Sequence, residues 1–214
     1  MGFMLLSLIP LAIHARMKNY NLSDFKLGKG DPKSLKKVFY YLPLGLILIT
    51  MIIPSLRFKD PLYSLVTFFF TISVGLAEEL YFRGLILGIL EKAFKPLSAV
   101  FLSVIFFSLG HITAAFMTPD PLLVSLHVLN SFLFGWLAAE IALLTQSIGV
   151  LIFFHGLFNF LDYHTAAEGS ALVLVYGVRG AMLLLFAIYL LVILKKQATY
   201  STVQYKHEKL LTGK

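Results

Sequence analysis

Leu76-Ala77-Glu78-Glu79-Leu80-Tyr81-Phe82-Arg83-Gly84-Leu85 lies inside an apolar run that extends from Leu62 to Leu90. A charged side chain at the centre of a bilayer costs roughly 2.5–3.5 kcal/mol on insertion scales. Glu78, Glu79 and Arg83 therefore need partners or a task. On a helix Glu79 and Arg83 are four positions apart and share a face, so they can pair. Glu78 is rotated by about 100° from Glu79 and points another way. One carboxylate is then neutralised by the arginine, and the other is left for chemistry.

The rest of the chain agrees with a membrane setting. Apolar residues make up 58% of 214 residues and charged ones only 14%, with a mean hydropathy of +0.84. That exceeds the apolar share of a soluble domain and comes in long blocks, so the fold class is an all-α polytopic membrane bundle. The chain contains no cysteine, which removes disulfides, thiolate nucleophiles and Cys-ligated metals. Its basic excess forms no Lys/Arg stripe interleaved with aromatics, so no nucleic-acid partner is expected.

About seven spans are predicted: Met1–Ala15, Val38–Leu56, Leu62–Leu90, Leu97–Met117, Leu122–Thr145, Ile148–Tyr163 and Ser170–Leu194. The first is short for a full crossing. It lacks the basic leader and small-residue cleavage site of a signal peptide. The third is long enough to be two helical pieces or one tilted helix. The whole chain reads as a single integral membrane domain, with a core near residues 62–163. No internal repeat or soluble domain is visible.

Charge orients the spans. The Arg16–Lys37 loop holds seven Lys/Arg, Lys92 and Lys95 add two, and the tail from Lys195 to Lys214 adds five. The opposite face holds only Arg57 and Lys59, while Arg83 and Arg179 lie within spans. The expected arrangement has the N-terminus outside and the C-terminus in the cytoplasm of a prokaryotic plasma membrane. The basic loop is equally suited to anionic lipid headgroups.

Three more polar positions lie in spans: His111 in the fourth, and His155 and Asn159, four apart on one face, in the sixth. At 1.5 Å rise per residue, Glu78 and His111 each lie roughly 20 Å from the basic ends of their spans, and His155 roughly 10 Å. These depths overlap within the uncertainty of the span ends, so the groups can converge in one cavity. A lone intramembrane His or Asn is ordinarily an interhelical hydrogen-bond partner. A free carboxylate, two imidazoles and an amide on three helices are instead what a hydrolase requires. Carboxylate and imidazole can hold and deprotonate a water, and imidazole and amide can donate to an oxyanion. His14, His127, His164 and His207 lack such company and are left unassigned. Glu140 is buried in the fifth span and faces either the same cavity or the cytoplasmic boundary.

Glu78-Glu79-x-x-x-Arg83, Phe107-x-x-x-His111 and His155-x-x-x-Asn159, in this order on successive spans, resemble the motifs of the CPBP family. These are the CAAX-protease and bacteriocin-processing (Abi) proteins, with which the eukaryotic prenyl-protein endopeptidases belong. Phe132-Leu133-Phe134-Gly135 resembles the family's weaker aromatic-x-x-Gly element. The resemblance covers Leu76 to Asn159 and implies an intramembrane peptidase with a conical catalytic cavity. It implies that Glu78 and His111 activate the attacking water, that His155 and Asn159 stabilise the oxyanion, and that Glu79 and Arg83 hold their helix in place.

Glu78, His111 and His155 could together form a three-ligand zinc site, as in a metalloprotease. The pattern differs from HExxH, in which both histidines share one helix. The alternative is a metal-free glutamate protease with Glu78 as general base, and the sequence leans toward it. The expected partners are a peptide or lipidated-protein substrate and membrane lipids. Two readings compete: a non-catalytic scaffold or bacteriocin-immunity protein that binds a partner in the same cavity, and a small proton-coupled carrier. The carrier lacks the expected inverted repeat.

Overall fold

The computed structural model describes residues 6–27, 35–52, 60–116, 118 and 120–212. Parts of some expectations lie outside the described residues: 1–5 of the first span, 53–56 of the second, Met117, residues 28–34 of the basic loop, Arg57, Lys59 and 213–214. The side chain of His207 does as well.

The described residues contain no β-strand. Helix α1 (Leu8–Met17) leads through a 3-10 turn (Leu22–Phe25) to α2 (Leu35–Ile52). Helix α3 (Pro61–Glu79), a π-helical segment (Leu80–Ile86) and α4 (Leu87–Ala93) run on without a break. Then come α5 (Pro96–Gly110), a 3-10 turn (His111–Phe116), α6 (Pro121–Thr145), α7 (Gly149–Tyr163) and α8 (Gly169–Thr212). Proline opens α3, α5 and α6, at the position where a missing N–H costs nothing. Asp60 and Asp120 cap α3 and α6, their carboxylates accepting from the backbone N–H groups of the first turn.

Four helical stretches are long and apolar enough to cross a membrane: Pro61–Ala93, Pro96–Thr113, Pro121–Thr145 and Gly169–Lys196. Leu8–Met17, Phe39–Ile52 and Gly149–Tyr163 are shorter apolar helices. The long third run is thus one rod about 50 Å long, with the π-helical segment inside it. Helix α1 begins part-way along that rod, where the Tyr81 hydroxyl donates to the Ser7 carbonyl. Ile47, Leu87, Leu137, Ile141, Ile148, Leu151, Leu183 and Leu190 form the fully buried core. Phe69, Phe101, Phe106, Leu185 and Ile188 point outward, as side chains facing lipid do. The chain is an all-α membrane helical bundle.

The crossing of α3 and α7 positions the site. A Cβ on Gly75 would lie 2.6 Å from the Ile152 carbonyl oxygen and 2.9 Å from Gly156 N. A Cβ on Gly156 would lie 2.9 Å from Ile72 Cα. Only glycine permits backbones this close, and the contact sets His155, next to Gly156, against the Glu78-Glu79 pair.

Candidate active site

Glu79 and Arg83 pair as their spacing requires: Arg83 Nη1 donates to Glu79 Oε1 at 2.9 Å, and neither residue is more than 1% exposed. The guanidinium packs 4.1 Å from the centre of the Phe107 ring. Its Nη2 reaches the Gly135 carbonyl at 3.4 Å. A Cβ on Gly135 would strike Phe107 Cδ1 at 2.9 Å, so this glycine lets α6 close on the pair.

Glu79 has a second partner that its spacing does not reveal. Its Oε1 lies 2.8 Å from His155 Nδ1. A carboxylate can only accept here, so Nδ1 carries the proton and Nε2 faces the other way. There it lies 3.7 Å from Glu78 Oε2. The two glutamates, though rotated apart on their helix, reach opposite nitrogens of one imidazole. A carboxylate that fixes the tautomer and orientation of a histidine is a recurring device in catalytic sites.

His111 is oriented in the same manner by a different group. Its Nδ1 lies 3.0 Å from the Phe107 carbonyl, to which it donates, and its Nε2 lies 4.0 Å from Glu78 Oε2. Glu78 Oε2 is buried and has no hydrogen-bond partner among the described residues. Two imidazole nitrogens from α7 and the end of α5 thus converge on one carboxylate oxygen from α3. Phe107 and Phe134 wall the imidazoles, with ring centres 4.5 Å from His111 and 4.7 Å from His155. Of the Phe132–Gly135 element it is thus Phe134, not the leading aromatic, that packs on the site; Phe132 packs against Trp136, ring centres 5.9 Å apart.

Asn159 follows His155 by one turn and lines a cavity of about 650 Å³ together with His111. The cavity lies among the middle of α3, the 3-10 turn after α5, the start of α6, the end of α7 and the start of α8. The structure therefore brings Glu78, Glu79, Arg83, His111 and His155 into one cluster, and Asn159 onto the wall of the adjoining cavity. Among the described residues no group of three His, Asp or Glu side chains is arranged to hold a metal ion. The donor types of Glu78, His111 and His155 are ones that zinc takes.

Sequence reasoning missed His127. Its ring lies 5.6 Å from that of His111, and it lines the same cavity. Its signal was the polar face of α6: His127, Asn130 and Ser131 follow at helical spacing. It also missed that Arg179 pairs with Asp162 at 2.7 Å, with the guanidinium 4.8 Å from Phe158 and 4.3 Å from Tyr176. An arginine in a span needs an acid, and the pairing passes over Glu168, which is nearer in sequence, for Asp162 on the preceding helix. His164 is a staple, its Nε2 3.0 Å from Ser64 Oγ across α3 and α7. Of its two expected places, Glu140 does not take the cavity. It is fully buried and accepts from Trp136 Nε1 at 2.9 Å.

A family model described as type II CAAX prenyl endopeptidase Rce1-like matches residues 60–161. The match contains every motif of the site, and it supports membership of the chain in the CPBP/CAAX protease family. Comparisons with curated proteins and with solved structures gave no significant match.

Proposed function

We propose that the protein is an intramembrane endopeptidase in which Glu78 and His111 activate a water and His155 and Asn159 hold the oxyanion. The observation that carries this is the convergence of two oriented imidazole Nε2 atoms on the unpartnered Glu78 Oε2, at 3.7 and 4.0 Å. A water hydrogen-bonded at about 2.8 Å to both Glu78 Oε2 and His111 Nε2 would subtend about 90° at its oxygen, close to its own bond angle.

In the reaction Glu78 takes one proton from this water as the hydroxide oxygen bonds to the carbonyl carbon. His111 Nε2 accepts the other hydrogen and holds the water in line. The carbonyl oxygen becomes an oxyanion, to which the Asn159 amide donates. His155, held by Glu79 through Nδ1, would donate towards it from Nε2 once that nitrogen takes up a proton from solvent. Glu78 then returns its proton to the amine as the C–N bond breaks, releasing an amine and a carboxylic acid, which ionises on leaving the site. Glu79 works through His155, and Arg83 balances the buried charge of Glu79. No step in this scheme is routed through a metal.

Detergent-purified protein should cleave members of a peptide library that includes prenylated CAAX peptides. Glu78→Gln keeps side-chain volume and removes the base, so the rate should fall by at least about 10²-fold with the fold retained. Cleavage at the wild-type rate by Glu78→Gln would refute the assignment.

A further inference from the structure

The two ends of the bundle differ sharply in charge, and the cavity opens at only one of them. At the first end the basic loop is tied to the helices. Lys26 Nζ lies 2.5 Å from Glu91 Oε1, the Lys26 carbonyl accepts from Ile148 N at 3.0 Å, and Lys92 Nζ lies 5.7 Å from the Tyr20 ring centre. Arg16, Lys18, Lys26, Lys92 and Lys95 therefore gather where α4 ends and α5 and α7 begin. Helix α8 runs parallel to α6, with Asn130 Nδ2 donating to the Tyr176 carbonyl at 3.2 Å. Its Lys195 and Lys196 consequently come to the same end. At the second end the described charged residues are Asp60, Asp120, Glu168 and the Asp162–Arg179 pair.

The cavity belongs to the second end. Thr113, Thr118, Tyr163 and Leu172 line it, all on connections or helix termini away from the lysines. Between the site and the basic end lie Leu137, Ile141, Ala142, Ile148 and Leu151, each with 0% exposure. That layer closes the route from the basic side. Clustered Lys/Arg in short loops mark the cytoplasmic side of a membrane protein.

We propose that the cavity takes its substrate from the non-cytoplasmic side of the membrane, so that the substrate class is an exported or membrane-anchored peptide segment rather than a cytoplasmic C-terminal tail. The word substrate rests on the endopeptidase assignment, whereas the side rests on charge and packing alone.

The natural absence of cysteine gives a clean background for testing this. Thr113→Cys and Thr118→Cys at the cavity mouth, and Lys95→Cys at the basic end, are made singly and exposed to a membrane-impermeant maleimide on intact bacterial cells. The two threonine positions should label in intact cells, and Lys95→Cys only after permeabilisation. Labelling of Lys95→Cys from outside, with both mouth positions protected until permeabilisation, would overturn the proposal. Labelling needs no activity, so an absence of cleavage by the purified protein would count against the endopeptidase assignment and leave the side of the cavity decided.

Discussion

Gly75→Ala tests whether the close crossing of α3 and α7 builds the site. The new methyl would stand 2.6 Å from the Ile152 carbonyl oxygen and 2.9 Å from Gly156 N, where ordinary contact begins at 3.4 Å. Both are backbone atoms, so no side chain can swing away. Relief at Ile152 requires about 0.8 Å of separation between the helices, the difference between those two distances. His155 lies between Ile152 and Gly156 and moves with them. Its 2.8 Å hydrogen bond to Glu79 would stretch to about 3.6 Å, past the useful range. Overpacking of this kind costs about 1–3 kcal/mol, and a displacement near 1 Å at a catalytic group can cost about 10²-fold in rate. Thermal unfolding in detergent and peptide cleavage rate are measured together. Gly45→Ala serves as the control, because a Cβ there meets nothing within 4 Å. If Gly75→Ala matches Gly45→Ala in both midpoint and rate, the crossing does not hold the site as argued.

Other perturbations separate the roles of the site residues. Arg83→Ala should destabilise the fold by about 3–5 kcal/mol, because Glu79 would be buried without its cation; adding Glu79→Gln should recover part of that loss in thermal unfolding. Asn159→Ala should lower kcat by about 10²–10³-fold with KM little changed, the signature of a lost oxyanion donor, and a pure KM effect would assign Asn159 to binding instead. Chelator treatment should leave cleavage unaltered, and stoichiometric zinc whose removal abolishes activity and whose return restores it would sink the glutamate-type mechanism.

The cost of charge in a membrane explains which features could be read from residues alone. The apolar blocks dictate an all-α bundle, because a backbone in lipid must satisfy its own hydrogen bonds. Glu79 and Arg83 had to pair because they are one helical turn apart, and spacing inside a helix translates directly into distance. The same logic placed His155 and Asn159 on one face, and the order of motifs supplied the family resemblance. The sixth run was legible to within one residue, Ile148–Tyr163 against α7 at Gly149–Tyr163, but not that its start is pinned by the Lys26 carbonyl.

What only the tertiary structure decided is what meets across helices. Rotation on one helix says that Glu78 and Glu79 diverge. It does not say that a third helix sets one imidazole where both can reach it. That depends on Gly75 and Gly156, whose missing side chains carry no chemical signal but allow α3 and α7 to touch. His127 was set aside for lack of neighbours, and its neighbour proved to be His111, one helix earlier in the chain. Sequence spacing reports contacts within an element, and close backbone packing between elements made the rest.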